Sequence, residues 1–488
     1  YAFQIPSFAL ILLGGLGGPF HTATVSILSR LIPNHERPSE LANKVLNIFL
    51  TMTGLIFTAF SIITFFAAKP IIQLIAHDAS PELQAISAMH LQWMSPLVLI
   101  GGLIGILYGV ANLYQQYFLP SIAPSAINVT LIAWLLLFGA DNLGYALAIS
   151  TMLGAVLQIA VQIPAYIKVG FRYKPELPWN LKGQTKDKTP EVSQLGHMLF
   201  PAIIGTTIGQ LNVYVAMFFT SQLHPGSWTA FVMANRLIQL PIGVLTIAFL
   251  VPLFPRFNQW AAAKDMDSLK HDVHMGVRSM WLIGIPLIIM TAFLAEPAIQ
   301  LLFERGKFSH HDTLLVSQLL IILSLSVLPY MLRDTLTRVF YAFQDSKTPL
   351  IAGGLSIVIN IILNAVLVRQ FDIDGIAYST VIMTFWNVGM LSFLMKKHTT
   401  QLQKRQLILQ SWRIVLAGFI CAACGYLLSQ GINAPLQSLH LGPLFELLLR
   451  LTSMTLVIGA SFALGLHVLK EPLAVTVKQK LMAKFLNK

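Results

Sequence analysis

Ala68-Lys69-Pro70-Ile71-Ile72-Gln73-Leu74 returns 227 residues later as Ala295-Glu296-Pro297-Ala298-Ile299-Gln300-Leu301. Working outward from this pair, the stretch from Val110 through Gln115 to Pro120 resembles that from Val339 through Gln344 to Pro349. Ile127-Asn128 followed by Gly144 and Ala146 resembles Ile359-Asn360 followed by Gly375 and Ala377, and the offset drifts only to 232. At the front, Gln4-Ile5-Pro6 matches Gln239-Leu240-Pro241 at an offset of 235. Each match is short, but they share one order and one spacing, which is how a chain built from two related halves reads.

The composition says where such a chain resides. Of 488 residues, 55% are hydrophobic and 11% charged, against about 25% charged in soluble domains. A water-soluble fold cannot hide that much apolar surface. The formal charge of +12 suggests nucleic acid at first sight. However, the basic residues sit in short clusters between apolar runs and form no continuous face, so no nucleic-acid partner is expected. Cys421 and Cys424 share one helix face and have no second ligand pair, so they read as packing residues and no metal is expected.

Spanning helices need about 20 mostly apolar residues. Thirteen candidates fall near 1–31, 45–76, 84–112, 118–140, 143–167, 194–222, 227–255, 273–303, 312–343, 349–369, 374–395, 409–430 and 444–469. Alternate loops carry the bases, among them Arg37, Lys168, Arg172, Lys264, Lys347, Lys396 and the tail from Lys478 to Lys488; the opposite set holds only Arg305, Lys307 and Arg369. The positive-inside rule makes the first set, and the C-terminus, cytoplasmic.

Six helices separate matching elements, an even number, so the halves are parallel repeats and a substrate site is expected between them. The helix at 194–222 precedes the Gln239 element and has no counterpart before Gln4. One helix is therefore expected to be missing from the first half. The expected organisation is an all-α polytopic membrane protein with an N-terminal lobe at 1–169, a cytoplasmic linker at 170–193 and a second lobe at 194–397. A basic linker at 398–408 and an extra helix pair with a basic tail at 409–488 complete it.

Asn235-Arg236-Leu237-Ile238-Gln239-Leu240-Pro241-Ile242-Gly243, Ala295-Glu296-Pro297 leading into Leu301-Leu302-Phe303-Glu304-Arg305-Gly306-Lys307-Phe308, and Arg338-Val339-Phe340-Tyr341-Ala342 followed by Asp345-Ser346-Lys347-Thr348-Pro349 carry a family resemblance. On these motifs the chain resembles the MurJ (MviN) family of lipid II flippases, in the multidrug/oligosaccharidyl-lipid/polysaccharide exporter superfamily. The resemblance implies fourteen helices, two six-helix lobes around a cationic cavity, and a terminal pair forming a groove for an undecaprenyl tail. It also implies that lipid II moves from the cytoplasmic to the outer leaflet of a bacterial inner membrane by alternating access. No enzymatic step and no cofactor are implied, and the sequence holds no Walker motif. The expected partners are the undecaprenyl-linked substrate, membrane lipids and the cell-wall synthesis machinery.

The sequence departs from the family at its second helix, where Leu12 to Pro19 is uncharged. Arg236 is then the cavity arginine that carries over. A guanidinium in mid-membrane is costly, so it is expected either to grip the substrate pyrophosphate in bidentate fashion or to pair with a buried carboxylate. Asn235 and Gln239, one turn apart, would bind substrate or bridge helices, and Gln4 shares the argument through the repeat. His21 would relay protons or sit neutral in the core, while Gln210 and Asn212 would line the cavity or join helices. Asn360, Asn364 and Thr380 are sodium candidates by family position, beside Ala216. They include no carboxylate to balance a hard cation. Asp334 and Arg338, four residues apart, read as an intrahelical pair. Other readings are an exporter of a different polyprenyl-linked glycan or of drugs, and a scaffold that transports nothing. Arg236 favours an anionic substrate over a cationic drug, and a scaffold would not need polar residues at the seam of a repeat.

Overall fold

The computed structural model describes residues 6, 7, 10, 18–32, 37–138, 143–177, 207, 210–398, 404–438 and 442–472. They divide into two compact units, Tyr1–Gln222 and Leu223–Lys488. This division by proximity falls later in the chain than the repeat boundary at 193/194, which follows sequence likeness.

The first unit holds α1 (Pro19–Leu31), α2 (Glu40–Phe66), α3 (Ala68–Ile75), α4 (Pro81–Met94), α5 (Leu97–Leu113), α6 (Phe118–Ile122), α7 (Ser125–Phe138) and α8 (Leu143–Val169). A further helix, α9, covers 210–220. Ser39 starts α2 by accepting the Ala42 amide at 3.1 Å, and Lys44 pairs with Glu40 one turn away at 2.8 Å. The helix then runs 27 residues, which at about 1.5 Å per residue exceeds a bilayer core of about 30 Å. Phe20, Phe49 and Ile106 join α1, α2 and α5 in one core. Ile72, Leu91, Ile104 and Ala155 join α3, α4, α5 and α8 in another.

The second unit holds α10 (Ser227–Leu245), a π-helical turn (Thr246–Leu250), α11 (Val251–Ala263), α12 (Met266–Phe303), α13 (His310–Ser324), α14 (Val327–Ala342), α15 (Lys347–Phe371), α16 (Ile373–Leu394), α17 (Lys404–Ser438) and α18 (Pro443–Val468). Ser309 and Asp312 form a reciprocal capping box at the start of α13, which satisfies two amides that the helix leaves open. At the other end of the unit, Ile285 of α12 packs with Ile414, Cys421, Ile458 and Phe462 of the terminal pair.

The repeat is visible in the backbone of each unit. α4 and α5 meet at a bend of 42°, and α13 and α14 at a bend of 44°. Downstream, Gln115 and Gln344 both take the left-handed conformation, at φ 56° and 59°. The Gln116 amide closes onto Ala111 O at 2.9 Å and the Asp345 amide onto Phe340 O at 3.0 Å, the same terminal turn in both halves. A non-glycine residue there is uncommon, so finding one at both aligned positions supports the repeat independently of side-chain likeness. The Gln4 element lies outside the described residues.

Each of the thirteen segments read from the sequence contains helical residues. Among the described residues, eight helices are long and apolar enough to cross a membrane, or ten if each bent pair forms one span. Only 17% to 44% of their most apolar windows is buried, and side chains such as Phe66, Leu136 and Leu456 stand open at 77%, 81% and 71%. Keeping such surface in water costs roughly 25 cal/mol per Å². Lipid is the solvent that suits it, and the chain is a multi-pass membrane protein.

Candidate functional site

α10 carries the segment on which the sequence reading converged. Trp228, Phe231, Ala234 and Ile238 turn into the unit, which leaves the opposite stripe open. Arg236 is exposed on that stripe, followed at helical spacing by Leu240 at 67% and Val244 at 66%. Among the described residues no carboxylate is paired with Arg236. The expectation of a buried carboxylate partner is therefore not met there. Asn235 is half-buried and Gln239 exposed, so the amides flank the guanidinium on both sides. One cation on an otherwise apolar stripe suits an amphiphile with an anionic group.

The other candidates occupy different surroundings. His21 is buried in α1 and accepts the Asn112 side-chain amide of α5 at 2.8 Å, which joins the two helices. Gln210 and Asn212 are half-buried on α9, and Gln4 lies outside the described residues. Asn360 and Asn364 are buried on α15, with the Asn364 amide donating to Asn360 O at 2.7 Å and Oδ1 at 2.8 Å. Thr380 on α16 donates to Ile376 O at 2.9 Å. These neutral groups bond to one another and to their own helices. Among the described residues no cluster of histidine, cysteine or carboxylate side chains could hold a metal ion.

On α14, Asp334 pairs with its neighbour Arg333 at 2.8 Å, not with Arg338, which corrects the sequence reading. The Arg333 guanidinium also lies 3.9 Å from the centre of the Tyr330 ring. Arg338 is directed to Phe254 of α11, 5.5 Å from its ring centre. Sequence spacing favoured the i, i+4 pair, but adjacent side chains on this helix turn toward one another while Arg338 finds an aromatic face. The third charge in an apolar stretch was the signal that could have found Arg333.

At the end of α14, Asp345 accepts the Thr348 amide at 3.0 Å and hydroxyl at 2.7 Å, and the His398 ring N–H at 2.7 Å. That ring stacks on Phe343 at 5.0 Å. Desolvation works to raise the Asp345 carboxyl, but His398 and Thr348 outweigh it and hold it down at about 2.

The connection after α8 is also structured. α2 presents Asn43, Asn47 and Thr51, spaced one turn apart, to the extended segment 171–177. Asn43 accepts the Arg172 amide at 3.2 Å, Asn47 donates to Arg172 O at 3.1 Å, and Thr51 accepts the Glu176 amide at 3.3 Å. The reading of 170–193 as a linker gave no hint of this strap, because side-chain-to-backbone bonds across more than a hundred residues leave no local pattern.

Fold and site together define the class, a multi-pass helical membrane protein with the architecture of the two-lobed transporters. A family model described as "Lipid II flippase MurJ" matches residues 1–441, and the chain belongs to that family. A probable lipid II flippase MurJ of Synechocystis sp. is 29% identical over 99% of this chain and 90% of its own length. One from Haemophilus influenzae is 30% identical over 58% of this chain and 55% of its own. Among solved structures, a lipid II flippase MurJ in an inward closed conformation aligns with TM-score 0.76 at 23% identity, covering 96% of this chain and 92% of that one. An inward-facing multidrug resistance MATE family transporter aligns with TM-score 0.64 at 14% identity, covering 83% and 90%. At these identities the structural likeness is one of fold.

Proposed function

We propose that this protein carries lipid II from the cytoplasmic to the outer leaflet of a bacterial inner membrane by alternating access, without a chemical step of its own. Family membership supplies the substrate class. The observation that carries the reading on this chain's own residues is Arg236, exposed and without a carboxylate partner among the described residues, on an apolar stripe of α10. A pyrophosphate offers a guanidinium two acceptor oxygens, and the apolar side chains beyond it suit the lipid portion. Asn235 and Gln239 are placed to take sugar or peptide groups. Gln4, His21, Gln210 and Asn212 belong to the same reading in secondary positions.

In this reading the segments 1–169 and 194–397 are the lobes that alternate, and 409–488 is an appended pair. The C-terminus is cytoplasmic, as the distribution of Lys and Arg among the loops implies. Association with cell-wall synthesis proteins would place the flippase beside the enzymes that use its product.

Complementation of a bacterium depleted of its own lipid II flippase tests this. Rescue by the wild-type chain and failure of a normally expressed Arg236→Ala variant support lipid II transport through Arg236. No rescue despite correct insertion redirects the assignment to another polyprenyl-linked glycan. Rescue by both removes Arg236 from the mechanism.

A further inference from the structure

Within the first unit, α2, α5, α8 and the strap line an open-sided chamber of about 740 Å³. That lies in the range of about 300–1,000 Å³ typical of small-molecule sites. Its walls are mostly aliphatic, with Leu50, Leu103 and Ile159 contributed by the three helices. Gly54 also lines it, and a Cβ added there would meet nothing within 4 Å, so the space reaches the backbone of α2.

Arg172 is the one charged residue among those lining the chamber; Glu176, four residues farther along the strap and held there by Thr51, does not line it. Its side chain is exposed, while its amide and carbonyl are fixed by Asn43 and Asn47 of α2. The fold thus holds a cation at the rim of an aliphatic chamber. Lys168 and Lys174, both exposed, stand on the same short stretch, on the side that the loop charges make cytoplasmic. Anionic lipids of the cytoplasmic leaflet concentrate at such bases.

We infer that this chamber is a site for one anionic glycerophospholipid, with an acyl chain between α2, α5 and α8 and the phosphate at Arg172. The site lies in one unit, does not involve α10, and is separate from the stripe assigned to the transported substrate. A zwitterionic lipid would fill the same walls, but its own cation would compete with Arg172 for the phosphate.

Native mass spectrometry of the full chain, released from nanodiscs of phosphatidylglycerol or of phosphatidylcholine, tests the assignment. The wild type is expected to retain one phosphatidylglycerol through delipidation. Arg172→Ala should weaken that retention about fivefold, the factor that roughly 1 kcal/mol per basic residue at a membrane surface gives, and weaken phosphatidylcholine less, because its choline already balances its phosphate. Gly54→Leu should intrude on the chamber from the α2 wall and weaken retention of both lipids, with circular dichroism and melting temperature confirming the fold. Equal loss of the two lipids in Arg172→Ala overturns the headgroup assignment. Undiminished retention in a folded Gly54→Leu protein overturns the location. No retained lipid on the wild type overturns the proposal. Arg236→Ala, assayed alongside, should keep its lipid, so failure of the transport reading and failure of this one give different results.

Discussion

Arg278 of α12 donates to Glu471, a carboxylate with no exposed surface that follows α18. Since Arg413 also donates to the Lys470 carbonyl at 3.0 Å, the chain is bound to the second unit just where the terminal helix pair ends. Removing one partner of a buried pair costs about 3–5 kcal/mol, because the other charge is left uncompensated. Glu471→Ala should therefore lower the melting temperature of the purified protein sharply. Arg278→Met together with Glu471→Leu, which removes both charges, should recover much of the loss. A double variant as unstable as the single one would argue against the pair as the cause.

The Asp345 carboxyl, held at about 2, gives a pH signature. A group whose folded pKa is depressed contributes stability that is fully present above its unfolded pKa and is lost as pH falls through the folded one. Wild type should exceed Asp345→Asn by about 2 kcal/mol at most at pH 5. The gap should close between the ordinary carboxylate value of about 3.9 and pH 2. Thermal unfolding of both proteins across pH 2–6 measures this, and a gap that is flat over the range contradicts the assignment.

Gly375 is where α16 comes against α15, and a Cβ there would stand 2.4 Å from the Leu367 carbonyl oxygen. Gly375→Val must displace backbone, a loss of about 1–3 kcal/mol or more by overpacking. Gly354, earlier on α15, has nothing within 4 Å of its added Cβ, so Gly354→Ala should be tolerated. Yield of monodisperse protein in detergent separates the two outcomes.

Arg236 supplies the converse test. Because it is exposed and outside any ion pair among the described residues, Arg236→Ala and Arg236→Lys should change stability by about 0.5 kcal/mol or less. Lys keeps the charge but not the planar fork, so it should transport at a rate between Arg and Ala. A large fall in melting temperature for either variant would give Arg236 a structural role in place of a substrate role.

The repeat was legible because it is written in residues that set backbone geometry. Gln115 and Gln344, part of the matched stretches, end equivalent helices in the same left-handed turn. Composition was equally direct, since apolar runs of this length have one suitable solvent. The pairing of Asp334 was not legible, because Arg333 and Arg338 are both within reach and the choice depends on Tyr330 and Phe254, the latter on another helix. His21 could be assigned either role from sequence, and its bond to Asn112 depends on contact between helices 91 residues apart. The strap was hidden for a similar reason, as Asn43, Asn47 and Thr51 resemble ordinary polar residues at a helix entrance until the segment they hold is in place.

That strap also has a mechanical meaning. Because its hydrogen bonds run from Arg172 to Glu176 along α2, tension on the chain beyond residue 177 loads α2 in shear before it reaches the end of α8. The chain leaving α8 is in effect moored to a different helix from the one that precedes it, over the length of those three bonds.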